Sequence, residues 1–415
     1  ALDACCVTLA RFGTKSFEET AGPAIRLLDR GKDAWEADLA RTLRRLVEAE
    51  KAASGDREKK IRAVSEFFYK GPLAQELDAW AREHGGLLRA EDLAAHVTKV
   101  EKPVSVEYRG HTVVKCGPWT QGPYLLEALR LLEGFDLKAM GHNSADALHV
   151  TQEAMKLGLA DRDVFYADPD FVDVPLGKLL SKEYADLRRP LIDPKRASLV
   201  LRPGDPRGMK ALLGEAETRK GLGGTPNDTT TCVVADRWGN VVAATPSGWS
   251  GVVAGKTGVW LGTRLQSFNT WKGHPNCIEP GKRPRITLTP TLILKGGRPV
   301  AAISVAGGDA QDQVGLQLVL NRIDFGMSAA EAVTAPRFQT WHYVGSFGQS
   351  APRLGSLSLQ TEIDEKVFDE LSARGHRMGR SSAPVWWPVM ITIDPAGGRL
   401  EAAGDPKARR HAAAF

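Results

Sequence analysis

Apolar residues spaced three and four apart run through residues 16–101, as in Ala24, Leu27 and Leu28 and then Leu39, Leu43 and Leu46. This spacing predicts amphipathic helices, with the polar stretch 49–60 connecting two of them. The texture changes at "PVSVEYRGHTVVKC" (103–116), where polar and apolar residues alternate on both sides of Arg109-Gly110, a hairpin signal. "QGPYLLEALRLLEGF" and "SADALHVTQEAMKLGLADRD" return to helical spacing, and Ser144 is placed to cap the second. Residues 190–228, rich in Pro, Gly and charge, read as a loop or surface linker. Strands are predicted over 229–236, 240–247, 258–262, 290–295 and 300–305, with "RWGN" and "GRPV" as turns between them. A helix near 311–323 follows Gly307-Gly308. Ser328 and Glu331 form a capping-box pattern for a further helix, which Pro336 stops. A strand pair near 388–395 and 398–402 closes the chain. Helices first and antiparallel strands afterwards predict an α+β fold, with one sheet on another flanked by helices.

Composition narrows the classes of function. The 415 residues are 42% hydrophobic and 25% charged, enough for a sizeable core. The net charge of +5 arises from 55 basic and 50 acidic residues without a long basic run, which argues against nucleic acid as a partner. The basic stretches Arg57–Arg62 and Lys407–Arg410 read as solvated surface. Cys5, Cys6, Cys116, Cys232 and Cys277 are an odd, scattered set with no CxxC, so they form no disulfide framework. The nine histidines show no HxH or HExxH, and nothing calls for a metal or a cofactor. No apolar run reaches the ~18 residues of a membrane span. The chain opens on Ala1 without a methionine or signal peptide, so its natural start is expected upstream and its compartment stays open.

The candidate chemistry lies in "NDTTTCVVADRWGNVVAAT" (227–245), where three threonines follow an Asn-Asp pair at a predicted loop–strand junction. An ordinary hydroxyl is a poor nucleophile at neutral pH and needs a base within hydrogen-bond reach. No Gly-x-Ser-x-Gly elbow is present, and "PSGWSG" (246–251) has the wrong spacing. An N-terminal Thr supplies the base as its own α-amine, once the preceding bond is cut.

At these residues the chain resembles the γ-glutamyltranspeptidase family of N-terminal-nucleophile hydrolases. The matching stretches include "FGTKSFEETAGPAIRLLDRG", "HGGLLRAEDLAAH", "GHNSADALHVTQEAMKLGLADRDVFYADPDFVDVP", "DTTTCVVADRWGN", "PGKRPRITLTPTLILKGGRPV" and "NRIDFGMSAAEAVTAPRF". The resemblance implies a four-layer αββα sandwich and self-cleavage at Asp228-Thr229. Residues 1–228 then form the large-subunit part and 229–415 the small subunit, both within one αββα domain. Thr229 is the implied nucleophile, and Thr230 and Thr231 become ordinary strand residues. Gly307 and Gly308 match the family's oxyanion-hole glycines, and adjacent glycines let backbone donors approach an oxyanion closely. The same pair also suits a strand-to-helix turn needing positive φ. Ser247 falls where the family has a second Thr bonded to the nucleophile's amine.

The substrate-reading positions depart from the pattern. Trp249 stands in place of an Asn, Arg264 in place of an acidic or amide residue, and Ser267 in place of the Asp that pairs with the α-amine. Ile286-Thr287 replaces a serine pair that contacts the α-carboxylate. The family's carboxylate-binding Arg lies before this chain's first residue, as does a glycine-rich segment that contributes core sheet. Arg264 and Arg285 suit a carboxylate, because a guanidinium offers a planar bidentate fork. Against this stands a surface or structural role for both arginines, and a packing role for Trp249. The expected activity is therefore an amidohydrolase or acyltransferase acting on a γ-glutamyl compound or another small acyl amide, with water or an amine as acceptor. A catalytically silent binding or scaffold protein is the alternative. A serine hydrolase built on Ser250 with His274 or His342 is a distant third.

Overall fold

A computed structural model describes residues 1–213, 229–248, 250–394 and 397–414. The chain forms two compact units, one from residues 1–101 and 248–263, the other from 102–247 and 264–415.

The first unit is helical, with helices Leu2–Phe12, Phe17–Leu28, Ala34–Ala52, Arg57–Tyr69, Pro72–Glu83 and Ala90–Ala94. The connection expected over 49–60 shrinks to the residues between Ala52 and Arg57, where Asp56 accepts from the Lys59 N–H and starts the next helix. The helix Leu2–Phe12 lies outside the span read as helical. Phe17, Leu46, Val47, Ile61, Val64 and Leu73 form the core of this unit. Residues 248–263 join it through the Thr42 hydroxyl, which donates to the Thr257 carbonyl at 2.7 Å, and through edge-to-face Trp35 and Trp260 rings 5.5 Å apart. The strand expected over 258–262 is absent; only an isolated bridge, Val253 to Trp260, forms. Gly255 and Gly258 hold φ of +53° and +69°, which turns the chain out of extended conformation. At Gly258 a Cβ would lie 2.2 Å from the Leu39 nitrogen, so no side chain fits.

The second unit carries the strands. They are β1 (Val104–Tyr108), β2 (His111–Lys115), β3 (Cys232–Ala235), β4 (Val241–Ala244), β5 (Thr291–Lys295), β6 (Arg298–Ala306), β7 (Phe338–Gln339), β8 (Ser356–Gln360), β9 (Arg377–Ser381), β10 (Trp387–Ile393) and β11 (Leu400–Gly404). Six form an antiparallel sheet in the order β1-β2-β5-β6-β10-β11, while β3-β4 pair separately and β7-β8-β9 make a small mixed sheet. The β1–β2 turn places both Arg109 and Gly110 at positive φ, +46° and +73°, which a two-residue hairpin of matching twist requires. The β5–β6 turn falls at Gly296-Gly297, so of "GRPV" only Gly297 lies in the turn and Arg298 already opens β6. Helices Pro123–Leu132 and Gln311–Ile323 cover one face of the six-stranded sheet, with Ala145–Phe165 packed against the first of them. Leu125, Leu129, Ile293, Ile303, Val305, Val314 and Leu318 fill that interface. Each fully buried side chain of this kind contributes about 1.5–3 kcal/mol. On the other face lies the β3–β4 hairpin, tied down by the Ser304 hydroxyl donating to the Ala244 carbonyl at 2.9 Å. The Thr245 and Ser304 hydroxyls also bond at 2.8 Å. The α+β class and the sheet-on-sheet arrangement are as expected. No helix among the described residues is long and apolar enough to cross a membrane.

Candidate active site

The strand expected over 229–236 begins only at Cys232, so Thr229 stands just ahead of it. The Thr230 N–H donates to the Pro246 carbonyl at 3.0 Å, which fixes the segment beside the end of β4. Thr229 is nearly buried at 6% exposure, and its Oγ1 lies 3.4 Å from the Ser247 Oγ. On another side it lies 3.4 Å from the Gln311 amide. Asp228 and Trp249 lie outside the described residues.

Gly307 and Gly308 close β6 with φ of +153° and +56°, backbone that side chains rarely adopt. A Cβ on Gly307 would meet the Trp386 ring at 2.6 Å. The turn they make leads directly into the helix that starts at Gln311, whose amide lies 3.4 Å from the Thr229 hydroxyl.

Behind the turn sits a group of residues that the sequence reading missed. Asp309 accepts from Arg162 at 2.6 Å, from the Ser346 hydroxyl at 2.5 Å and from the Ser346 N–H at 2.9 Å. Arg162 is fully enclosed and spends all five N–H donors. Nε and Nη2 donate to Asp163, Nη1 to Gln121 and Asp309, and Nη2 also to the Val344 carbonyl. These partners are far apart in sequence and carry no motif. The signal available was only the charged run Asp161-Arg162-Asp163 near the end of that helical stretch.

The proposed substrate residues are distributed around this network. Arg285 is no surface residue: it is buried and donates to Asp163 at 3.3 Å and to the Ser346 hydroxyl at 3.2 Å. Burial first, and the Arg162 charge second, bring its pKa down to about 10, so it remains a cation at neutral pH. Asn276 links it to Ser267, accepting from the Arg285 N–H at 2.7 Å and donating to the Ser267 carbonyl at 2.7 Å. The Ser267 and Thr287 hydroxyls are fully buried and have no hydrogen-bond partner among the described residues. Such groups are costly unless something pairs with them, which marks both as able to meet a ligand. Ile286 serves through its backbone, bonding Trp119 and Gln121 at 3.0 and 2.9 Å. Arg264 is half-buried with its guanidinium 5.1 Å from the Phe347 ring centroid.

Two other constellations test the alternatives. His274 accepts from the Asn276 N–H and reaches the Asp163 carbonyl, while His342 accepts from Gly355 and reaches the Val200 carbonyl. Both nitrogens of each ring are thus engaged by backbone, which leaves neither as a ready base for a serine. His149, Glu153 and His376 lie close enough to hold a metal ion. Their atoms are already committed, however. His149 Nε2 donates to the Asp193 carbonyl at 2.7 Å, so its Nδ1 accepts from His376 Nε2 at 2.8 Å. Glu153 pairs with Lys156 and, at 2.7 Å, with Arg202. Two cations around one carboxylate do not suit a third.

Over residues 23–415 the chain matches the family described as gamma-glutamyltranspeptidase. It is 33% identical over 429 aligned residues to an acylase proenzyme (Acylase ACY 1) of a Pseudomonas species, spanning 96% of this chain and 71% of that protein. To the glutathione hydrolase proenzyme of Escherichia coli it is 34% identical over 357 residues, 82% of this chain and 57% of that one. Among solved structures it resembles LmbA2991HD with a TM-score of 0.84 at 33% identity, covering 98% of this chain and 80% of the other. The cephalosporin acylase of Bacillus halodurans superposes with a TM-score of 0.75 at 25% identity, over 98% and 76% of the two chains.

Proposed function

We propose that this chain, which belongs to the gamma-glutamyltranspeptidase family, is an amidohydrolase or acyltransferase whose nucleophile is Thr229 after self-cleavage at Asp228-Thr229. The observation that carries the reading is the nearly buried Thr229 hydroxyl, set between Ser247 and Gln311 beside the glycine turn. In maturation Oγ1 adds to the residue 228 carbonyl, the peptide nitrogen leaves as the new α-amine, and water hydrolyses the resulting ester. In turnover that amine takes the Oγ1 proton as the oxygen attacks an amide carbonyl. N–H groups of the Gly307-Gly308 turn stabilise the oxyanion, the leaving amine departs with the proton, and water or an amine releases the acyl group. The division into 1–228 and 229–415 follows from that cut, and names of relatives that include "proenzyme" support it.

The acyl group we favour is small, carries a carboxylate and lacks a free α-amine. Arg264, Arg285, Ser267 and Thr287 offer cationic and hydroxyl groups but no carboxylate for an ammonium. Relatives named as acylases support an acyl group other than γ-glutamyl. Intact mass spectrometry tests the nucleophile. The parent should appear as two chains split before Thr229, and Thr229→Ala as one chain of full mass. A Thr229→Ala variant still cut at that bond sinks the assignment.

A further inference from the structure

Gln311 is 2% exposed and opens the helix that follows the glycine turn. Its amide is wedged between three groups: the Val305 carbonyl at the end of β6, the Thr287 carbonyl ahead of β5, and the Thr229 hydroxyl. The partners decide which way the amide faces. With Nε2 toward the carbonyls it donates to both at 3.0 Å. Reversed, an oxygen would face two acceptors inside a buried site. In the satisfied orientation both N–H donors are spent, and Oε1 is left 3.4 Å from Thr229 Oγ1. Toward Thr229 the amide can therefore only accept, so Oε1 is, with Ser247 Oγ at the same 3.4 Å, one of two acceptors within reach of the single Thr229 proton.

We propose that Gln311 is a positioning residue for the nucleophile, holding the Thr229 O–H by its proton and so aiming the oxygen lone pairs at the carbonyl under attack. This deepens the reading of Thr229 as nucleophile and rests on it. An amide oxygen is too weak a base to remove the proton, so Gln311 acts through orientation before attack: the O–H rests on Oε1 and turns from it to the α-amine, which takes the proton as the oxygen attacks. Its two carbonyl anchors belong to the backbone at the ends of the strand pair β5–β6, which makes the hold rigid. The 3.4 Å separation is long for such a bond, and catalytic hydrogen bonds commonly tighten when substrate binds. Misplacing a reacting group by about 1 Å can cost on the order of 10²-fold in rate.

The test uses Gln311→Met, which keeps length but loses the amide, and Gln311→Glu, in the full chain. Two rates are read below the unfolding temperature of each variant: the half-time of self-cleavage by intact mass, and kcat and KM on acyl p-nitroanilides. Gln311→Met should slow both self-cleavage and kcat by roughly 10-fold or more, with KM little changed. In Gln311→Glu the carboxylate faces two carbonyls at neutral pH. Once protonated it donates to one of them and again offers an acceptor to Thr229. Its kcat relative to the parent should therefore rise as pH falls. A merely structural Gln311 would lower the unfolding temperature but leave kcat intact. A folded Gln311→Met with unchanged cleavage and kcat, or a loss confined to KM, overturns the proposal. If that variant does not fold, a pH-independent kcat ratio for Gln311→Glu overturns it. Thr229→Ala, run alongside, separates the two readings. An inert Thr229→Ala beside a normal Gln311→Met removes Gln311 alone, whereas an active, cleaved Thr229→Ala removes the nucleophile itself.

Discussion

The guanidinium of Arg162 and the carboxylate of Asp309 meet at 2.6 Å immediately behind the Gly307-Gly308 turn, with Arg162 wholly enclosed. Arg162 comes from the long central helix and Asp309 from the turn after β6, so this pair fastens the candidate oxyanion donors to the helical layer. A buried pair need not stabilise the fold relative to a hydrophobic substitute, but removing one partner strands the other.

Arg162→Lys should therefore be severe despite keeping the charge. A lysine brings three donors where five are in use, and it cannot span Asp163, Gln121, Asp309 and the Val344 carbonyl together. Stability should fall by about 3 kcal/mol in urea unfolding, the scale of breaking a buried charge network. Turnover should drop at least as much as the loosened turn dictates, roughly 10-fold or more. A variant with parental unfolding midpoint and turnover would show that Asp309 is held without Arg162.

Acid should unfold the second unit earlier than its carboxylates alone require. Burial, followed by the Lys156 charge, pushes His376 down to about 2 and His342 to about 3, and burial also lowers His149. In the unfolded chain these rings take a proton near pH 6.5, while in the folded chain they do not. Between those values the unfolded state binds more protons, so stability is full above about pH 6.5 and declines as pH falls. His376 and His342 each contribute a slope of about 1.4 kcal/mol per pH unit over that window. His376→Asn should flatten the stability-versus-pH curve between pH 6.5 and 4; an unaltered slope there would assign the acid sensitivity elsewhere.

Glutaryl and γ-glutamyl p-nitroanilide differ only by the α-amine, and comparing kcat/KM for the two reads the pocket's charge. The ammonium would sit near cations, where repulsion costs ~1 kcal/mol or more at an effective dielectric near 20. The glutaryl compound should be cleaved faster. Arg264→Gln should narrow the gap, because it removes one cation from the candidate pocket while Arg285, tied to Asp163 and Ser346, stays in place. A γ-glutamyl preference restores the ordinary transpeptidase reading; a ratio unmoved by Arg264→Gln makes that residue a packing partner of Phe347.

Local chemistry was legible wherever one segment carried the whole signal. Ser144 does cap its helix by accepting from the Ala147 N–H, and Ser328 and Glu331 do form a reciprocal capping box before a helix that ends at Thr334. The α+β class and the αββα sandwich expected from the resemblance also hold. The strands β8 and β9 and the helix Glu365–Ala373 were not anticipated: β9, "RMGRS", is polar and gains its place only by parallel pairing with β8. The site was half legible. Thr229, Ser247 and the glycine pair are short-range features, whereas Arg162, Asp309, Ser346 and Gln311 meet only in three dimensions, by contacts that cross 37 to 147 residues.

Both compact units are woven from chain on either side of the Asp228-Thr229 bond. The helical unit takes residues 248–263 along with 1–101, and β2 from before the bond pairs with β5 from after it. Cutting that bond is consequently a nick in a knit fabric rather than a release. The two products share a sheet and a helical unit, so parting them demands melting both. A cleaved enzyme would travel as one particle through any native separation and fall into two only under denaturant.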